Sequence, residues 1–467
     1  MDSNFLHERR VGLQHFINAI LRSSLFSHHT AVKKFLDPHN YTEEIETTRQ
    51  QQAAMFVRSE PSWQLQGSLK EVGWRIRKFF FAVKSDRLEK ENRYLLAWVE
   101  HGQDMCLEPD TSLMACLRVL TTIQHPYIEP VTYASASEKG STVVRQYSAT
   151  GSLRDYLAKA KPEQPRLKKY GNTKTKVELS VSDLKTIGRQ ILEGLKFLHN
   201  KGWPYGHLHA GNVLFDGQTC RLLDVENSVL GLSPLRRAYL LTMKGVKCLQ
   251  DVDVYNFGHL LYEIIFRVPL DSPYIDRPLD NCPPEFRPVL NSILSSSVID
   301  ARLPAIDELL GDPCFSSVVI RHNEKPVFKI SKLKDSLVRC RNTIETRLKE
   351  DQRKIRQFQR LSKARSEIMS EEEKTKRRKS AKRKSLQTAA SVDTPKEPSE
   401  SVGPSVAPPP PPPPAPPLAK VEEVGSVATP PPPAPSEGKA ALLSSISSFS
   451  KVNLRAAETN DRSQPKI

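Results

Sequence analysis

The chain has 467 residues, a formal net charge of +16 and 38% hydrophobic residues, enough for two or three domains but too polar for one packed body. Nowhere do 18 apolar residues run together, which excludes a spanning helix, and the first residues lack the pattern of a signal peptide. Seven cysteines form no CxxC pair and no metal-ligand spacing, so they are expected as free thiols in a reducing compartment. The positive charge favours anionic partners: phosphoinositide membranes, actin or nucleic acid.

From Phe5 to Pro38 apolar residues recur at helical steps, first Leu13, Phe16, Ile17, Ile20 and Leu21, then Val32, Phe35 and Leu36. Asp37-Pro38 is a natural stop. This stretch, residues 1–38, resembles the C-terminal helices of a PX domain, whose sheet would precede Met1. The resemblance implies that Arg9 or Arg10 contacts a phosphoinositide phosphate. The alternative is a pair of helices that pack on the next domain.

Residues 60–316 read as strands and then helices. Tyr205–Asn212 (YGHLHAGN), with Asp224 beyond a hairpin signal at Asp216-Gly217, resembles a protein-kinase catalytic loop followed by D-F-G. Other stretches agree with that family at independent points: Val144–Leu157, His125–Ile128, Asp253–Gly258 and Arg302–Leu310. A capping box at Ser180 and Asp183 opens a helix with one apolar face, closing at Lys201-Gly202. The fold expected is α+β: a two-lobed kinase-like body, preceded by PX helices and followed by a disordered, proline-rich tail.

The chemistry looks dismantled. His207 stands where the family has its catalytic aspartate, His209 replaces the catalytic-loop lysine, and Glu226 replaces the glycine of D-F-G. Val99 falls at the phosphate-pairing lysine and Cys116 at its glutamate partner, so both members of the activating ion pair are missing. Gly67 and Gly73 are too far apart for a G-x-G-x-x-G loop. Asn212 and Asp224, the family's metal ligands, remain. They leave Mg-ATP open as a cofactor, against a loop brace at Asn212 and a cap or surface carboxylate at Asp224. On balance the expectation is a pseudokinase with no cofactor. The competing reading is an atypical Ser/Thr kinase with His207 as general base.

Residues 332–370 have a charged helical pattern, with Leu333, Leu337, Ile344 and Leu348 near one face. They are expected as a helical extension docked on the large lobe, an isolated solvent helix being the alternative. A disordered basic and proline-rich linker is expected over 371–435. Within it Lys374–Lys384 carries eight positive charges in eleven residues, and reads as solvated, membrane-binding or nuclear-import sequence. Ser380 and Ser385 follow its basic clusters as candidate phosphorylation sites, where phosphate would weaken an anionic-membrane contact. Proline runs at 408–414 and 430–433 suit profilin, SH3 or WW grooves, or a passive spacer. Residues 436–460 resemble a WH2 motif, which implies actin contacts from Leu442, Leu443, Ile446, Leu454 and Arg455; an amphipathic membrane or partner helix is the alternative.

Taken together these segments resemble the PX-domain-containing protein kinase-like family. The resemblance implies an adaptor at the cytoplasmic side of the plasma membrane or endosomes, binding sodium/potassium-pump β subunits and actin. No nucleic-acid-binding fold signature accompanies the basic run.

Overall fold

The computed structural model describes residues 3–23, 26–27, 29–38, 43–73, 78–87, 93–171, 176–299, 302–320 and 325–389. Helices α1 (Ser3–Arg22) and α2 (Thr30–Leu36) come first. His29 caps α2, its ring Nδ1 accepting from the Ala31 amide at 3.2 Å. Helix α3 (Glu43–Ser59) has no counterpart in the sequence reading. It places Ala53 and Phe56 against Trp63, Phe81, Tyr94, Leu96 and Trp98, covering one face of a sheet.

That sheet is antiparallel, in the order β1-β2-β3-β5-β4. Its strands are β1 (Trp63–Ser68), β2 (Lys78–Ser85), β3 (Tyr94–Val99), β4 (Tyr133–Ser137) and β5 (Gly140–Gln146). Strand periodicity sends Phe81 and Val83 toward α3, and Phe80 into the main core on the opposite face. Helix α4 (Met114–Leu120), entered through a wide π-type turn at Pro109–Leu113, closes that second face.

The helical lobe begins with α5 (Leu153–Leu157) and α6 (Arg166–Tyr170). Then α7 (Val181–Asn200) buries Leu184, Ile187, Ile191, Leu195 and Leu198, a three- and four-residue stripe. Its capping box forms: Ser180 Oγ accepts from the Asp183 amide and Asp183 Oδ2 from the Ser180 amide, both at 3.1 Å. Gly202 closes it at φ +70°. The hairpin β6 (Val213–Phe215) and β7 (Cys220–Leu222) follows, then α8 (Arg237–Leu240) and α9 (Leu249–Phe266). Apolar residues surround α9 on every side, so it is buried at the centre of the lobe. Helices α10 (Arg287–Leu294), α11 (Ile306–Gly311) and α12 (Pro313–Ser316) complete the layer around it.

Two expected boundaries move. The core does not stop at 316, because Phe328, Ile330, Leu333, Leu337, Cys340, Ile344 and Leu348 belong to it. The last five start or lie on the final helix, α13 (Lys334–Ala389), or its entry turn. That helix also runs through residues 371–389, which the sequence reading assigned to a disordered linker. No glycine or proline occurs between 334 and 389, so no residue there carries a large helix penalty. All seven cysteines are free thiols. Among the described residues no helix is long and apolar enough to cross a membrane.

Candidate nucleotide cleft

The cleft between sheet and helices holds both of the retained metal-ligand positions singled out in the sequence. Asn212 and Asp224 line one cavity there, together with Phe80, Ala97 and Arg145. Asn212 donates from its side-chain amide to the His207 carbonyl at 3.1 Å, and so braces the loop. His207 itself is only 1% exposed. A substrate hydroxyl must come within hydrogen-bond reach of a general base, and burial at this level stands against that role. His209 is fully buried and its Nδ1 accepts from the Gly211 amide at 3.1 Å, so it serves the turn. Asp224 is buried at φ +58°, a left-handed conformation that is costly for a non-glycine residue. It is therefore neither a helix cap nor a surface carboxylate.

Val99 and Cys116 are fully buried, and burial pushes the Cys116 thiol up to about 12. Neither position offers charge. The missing cation comes instead from the next strand. Lys78 opens β2 directly opposite Val99 in the ladder. Its Nζ lies 2.6 Å from Asp224 Oδ1, 2.7 Å from Glu226 Oε1 and 3.3 Å from Asn227 Oδ1. Searching within β3 alone could not find it; a cross-strand register was the only signal available.

Glu226 completes the arrangement. Its carboxylate also accepts from the Arg145 guanidinium through both nitrogens, one contact at 3.2 Å and the other shorter. Burial would raise the Glu226 carboxyl, but Arg145 and Lys78 outweigh it and hold the group far below the usual carboxylate range. Arg145 is raised in turn, its own burial opposed by Glu226. Two cations and two carboxylates thus neutralise one another inside the cleft.

The cavity that remains is about 80 Å³, well under the roughly 300–1,000 Å³ of ordinary ligand pockets. Its roof is tied down. Lys169 on α6 donates to the carbonyls of Glu71 and Pro162, each at 3.0 Å, and the Arg166 amide donates to Glu71 Oε2 at 3.1 Å. Glu71 belongs to the turn where a phosphate-covering loop would lie. Gly73 in the same turn has φ +81°, and a Cβ there would sit 2.1 Å from the Phe80 ring.

The segment after Asp224 is folded inward. Val225 to Leu230 are all buried, and Gly231 packs so tightly that a Cβ at Gly102 would lie 1.9 Å from its carbonyl oxygen. Helix α13 runs across this segment. Gln352 Nε2 lies 3.0 Å from each of the carbonyl oxygens of Leu240, Met243 and Val246, sharing its two hydrogens among them, and Glu345 accepts from the Leu249 amide at 3.1 Å. Arg347 and Arg237 both reach Asp104, at 3.0 and 3.5 Å.

The remaining expected positions lie away from this cleft. Arg9 and Arg10 are exposed on α1. Ser380 and Ser385 are on α13, where only the backbone is described. Leu442, Leu443, Ile446, Leu454 and Arg455 fall outside the described residues.

Comparison with known proteins agrees with this geometry. Residues 99–280 match the model for protein tyrosine and serine/threonine kinases. The mouse PX domain-containing protein kinase-like protein is 45% identical over 371 residues, 78% of this chain and 63% of the mouse protein. The chain belongs with the PX domain-containing protein kinase-like proteins. It spans less than two thirds of the length of these mammalian relatives. Two more distant relatives share the central body. One, from Dictyostelium discoideum, is named probable inactive serine/threonine-protein kinase slob2, 34% identical over 52% of this chain and 42% of its own. The other is the Drosophila melanogaster Slowpoke-binding protein, 34% identical over 44% of this chain and 41% of its own.

Proposed function

We propose that this chain is a non-catalytic pseudokinase adaptor that links membrane proteins to actin. One observation carries the non-catalytic half: Lys78, Arg145, Asp224 and Glu226 satisfy one another, so that the groups that would hold phosphates and magnesium are already spent. The buried His207 supports the same reading. Asp224 and Asn212 are of the right kind to hold magnesium beside a nucleotide, and would supply charge neutralisation there, but Lys78 occupies Asp224 at 2.6 Å. That pairing supports the reading in which the site goes without the metal.

The adaptor half rests on the family resemblance and on the tail. Partners proposed are actin, through Leu442, Leu443, Ile446, Leu454 and Arg455, and sodium/potassium-pump β subunits. A relative named for binding Slowpoke supports a partner-binding role for the shared kinase-like body. Exposed Arg9 and Arg10, with the basic run before Ser380 and Ser385, suit an anionic membrane surface, and the proline runs suit profilin, SH3 or WW domains. On this reading the site of action is the plasma membrane or endosomes. The test is binding of the full chain to monomeric actin and to a pump β-subunit cytoplasmic segment, alongside phosphotransfer from Mg-ATP. The expected result is actin binding lost in a Leu442→Asp/Leu443→Asp variant, with no phosphotransfer above a His207→Ala control. Transfer that depends on His207 would establish the weak Ser/Thr kinase instead.

A further inference from the structure

Two cations that reach the cleft from different strands, Lys78 on β2 and Arg145 on β5, converge on the single carboxylate of Glu226. The Lys78 side chain and the Glu226 side chain are fully buried, and that of Arg145 is 5% exposed. Arg145 and Asp224 also line the small cavity. A guanidinium fork accepts a phosphate with the same bidentate geometry as a carboxylate. An ammonium beside it is a second, compact phosphate contact. The cavity volume of about 80 Å³ has room for about five waters, at the ~10–15 Å³ each requires. A small anion therefore has space beside Arg145 once the resident carboxylate is gone, with Lys78 behind it.

We infer that Glu226 is the residue that closes this site: it occupies Lys78 and Arg145 in place of a polyphosphate, and without its carboxylate the cleft binds inorganic tripolyphosphate and the phosphates of a nucleotide. The inference rests on the non-catalytic reading above. The logic is one of competition. A tethered carboxylate faces its partners at an effective concentration no free ligand in the millimolar range matches. Removing it leaves Arg145 without its bidentate partner and Lys78 with Asp224 alone, a costly state that an entering anion relieves. Asp224 stays behind to hold Lys78 in position.

The test is thermal unfolding of the full chain in rising sodium tripolyphosphate, without metal, against sodium sulfate of equal ionic strength. Four proteins are compared: wild type, Glu226→Ala, Glu226→Gln and the double variant Arg145→Leu/Glu226→Leu. Glu226→Ala should melt below wild type and recover by several degrees, saturably, in tripolyphosphate and not in sulfate. Its apparent Kd should be at least tenfold below that of wild type. Glu226→Gln keeps the volume and should respond in the same direction, which preserves the test if the alanine variant does not fold. The double variant, which removes the carboxylate and one cation together, should not respond saturably. Glu226 variants no more responsive than an unresponsive wild type would overturn the inference and leave the non-catalytic reading intact. A wild type that saturates with tripolyphosphate would overturn the closure, and phosphotransfer would then decide the non-catalytic reading separately.

Discussion

The helical lobe and the sheet have treated the loss of chemistry differently. In the helical lobe Asp253, fully buried at the start of α9, accepts from the Gly206 amide at 2.8 Å and pairs with His199 Nε2 at 2.8 Å. Arg154 and Glu263 form a second buried pair, with Arg154 Nη2 at 2.5 Å from Glu263 Oε2. These bonds hold backbone and helices in place, and no ligand takes part in them. They persist because the fold needs them. In the sheet, Val99 replaces a charge that a nucleotide would have used, and Lys78 and Arg145 turn to Glu226. A buried cation that has no ligand must find its counter-charge within the chain. Internal pairs thus hold the helical framework, while the cations of the cleft take their counter-charge from Glu226.

The largest test of that contrast is Arg154→Leu. Leaving Glu263 buried without its partner should cost about 3–5 kcal/mol in urea unfolding, with a barely altered sheet. If the cost is below 1 kcal/mol, the helical-lobe pairs are not what holds the framework. Acid comes next. His259 is fully buried between Tyr239 and Tyr255, and neither ring nitrogen has a hydrogen-bond partner among the described residues. Burial, and secondarily Arg236, holds its pKa well below the ordinary value of 6.5. The folded chain therefore refuses a proton that the unfolded chain takes up below that value, and stability falls as pH falls. The loss should set in as pH falls through about 6.5, and a His259→Leu variant should flatten the slope. Glu226 adds a further loss below about pH 4.5, since its folded pKa is depressed and its stabilisation disappears as the carboxyl protonates.

Gln352→Leu asks whether α13 secures the segment after Asp224. It strands three carbonyls, at Leu240, Met243 and Val246, and should cost about 1–3 kcal/mol. Amide exchange should quicken over residues 237–248 first, and uniform exchange would show that α13 is not their anchor. The smallest effect is Ser180→Ala, about 1 kcal/mol through loss of the α7 cap. A neutral result in equilibrium unfolding would mean that water replaces the cap at no cost.

How much of this was legible in the sequence follows the same division. The α7 capping box, the hairpin at Asp216-Gly217 and the buried α9 depend on local spacing, and each forms where the residues indicate. The retained Asn212 and Asp224 could be placed in one cleft by motif alone. Lys78 could not, because its importance lies in the register of two consecutive strands, which brings it opposite Val99. Glu226 was visible as a departure from D-F-G, yet its two cations lie 148 and 81 residues away in sequence. Helix α3 was missed because its apolar contacts, Ala53 and Phe56, are too few for a strong stripe among glutamines and threonines. The continuation of α13 past residue 371 was missed because a dense positive run reads as solvated chain before its lack of helix breakers is weighed.

The most direct measurement is thermal unfolding of the full wild-type chain with and without millimolar Mg-ATP, repeated on Asp224→Ala. A nucleotide at a hundred times its dissociation constant would add about 2.7 kcal/mol of stability. Each kcal/mol moves Tm by roughly 2–4 °C for a domain of 150–250 residues and by less for a longer chain, so a bound nucleotide still gives a shift of a few degrees. A self-neutralised cleft predicts no shift in wild type. A magnesium-dependent rise of several degrees, abolished by Asp224→Ala, would contradict it and restore the cleft as a nucleotide site.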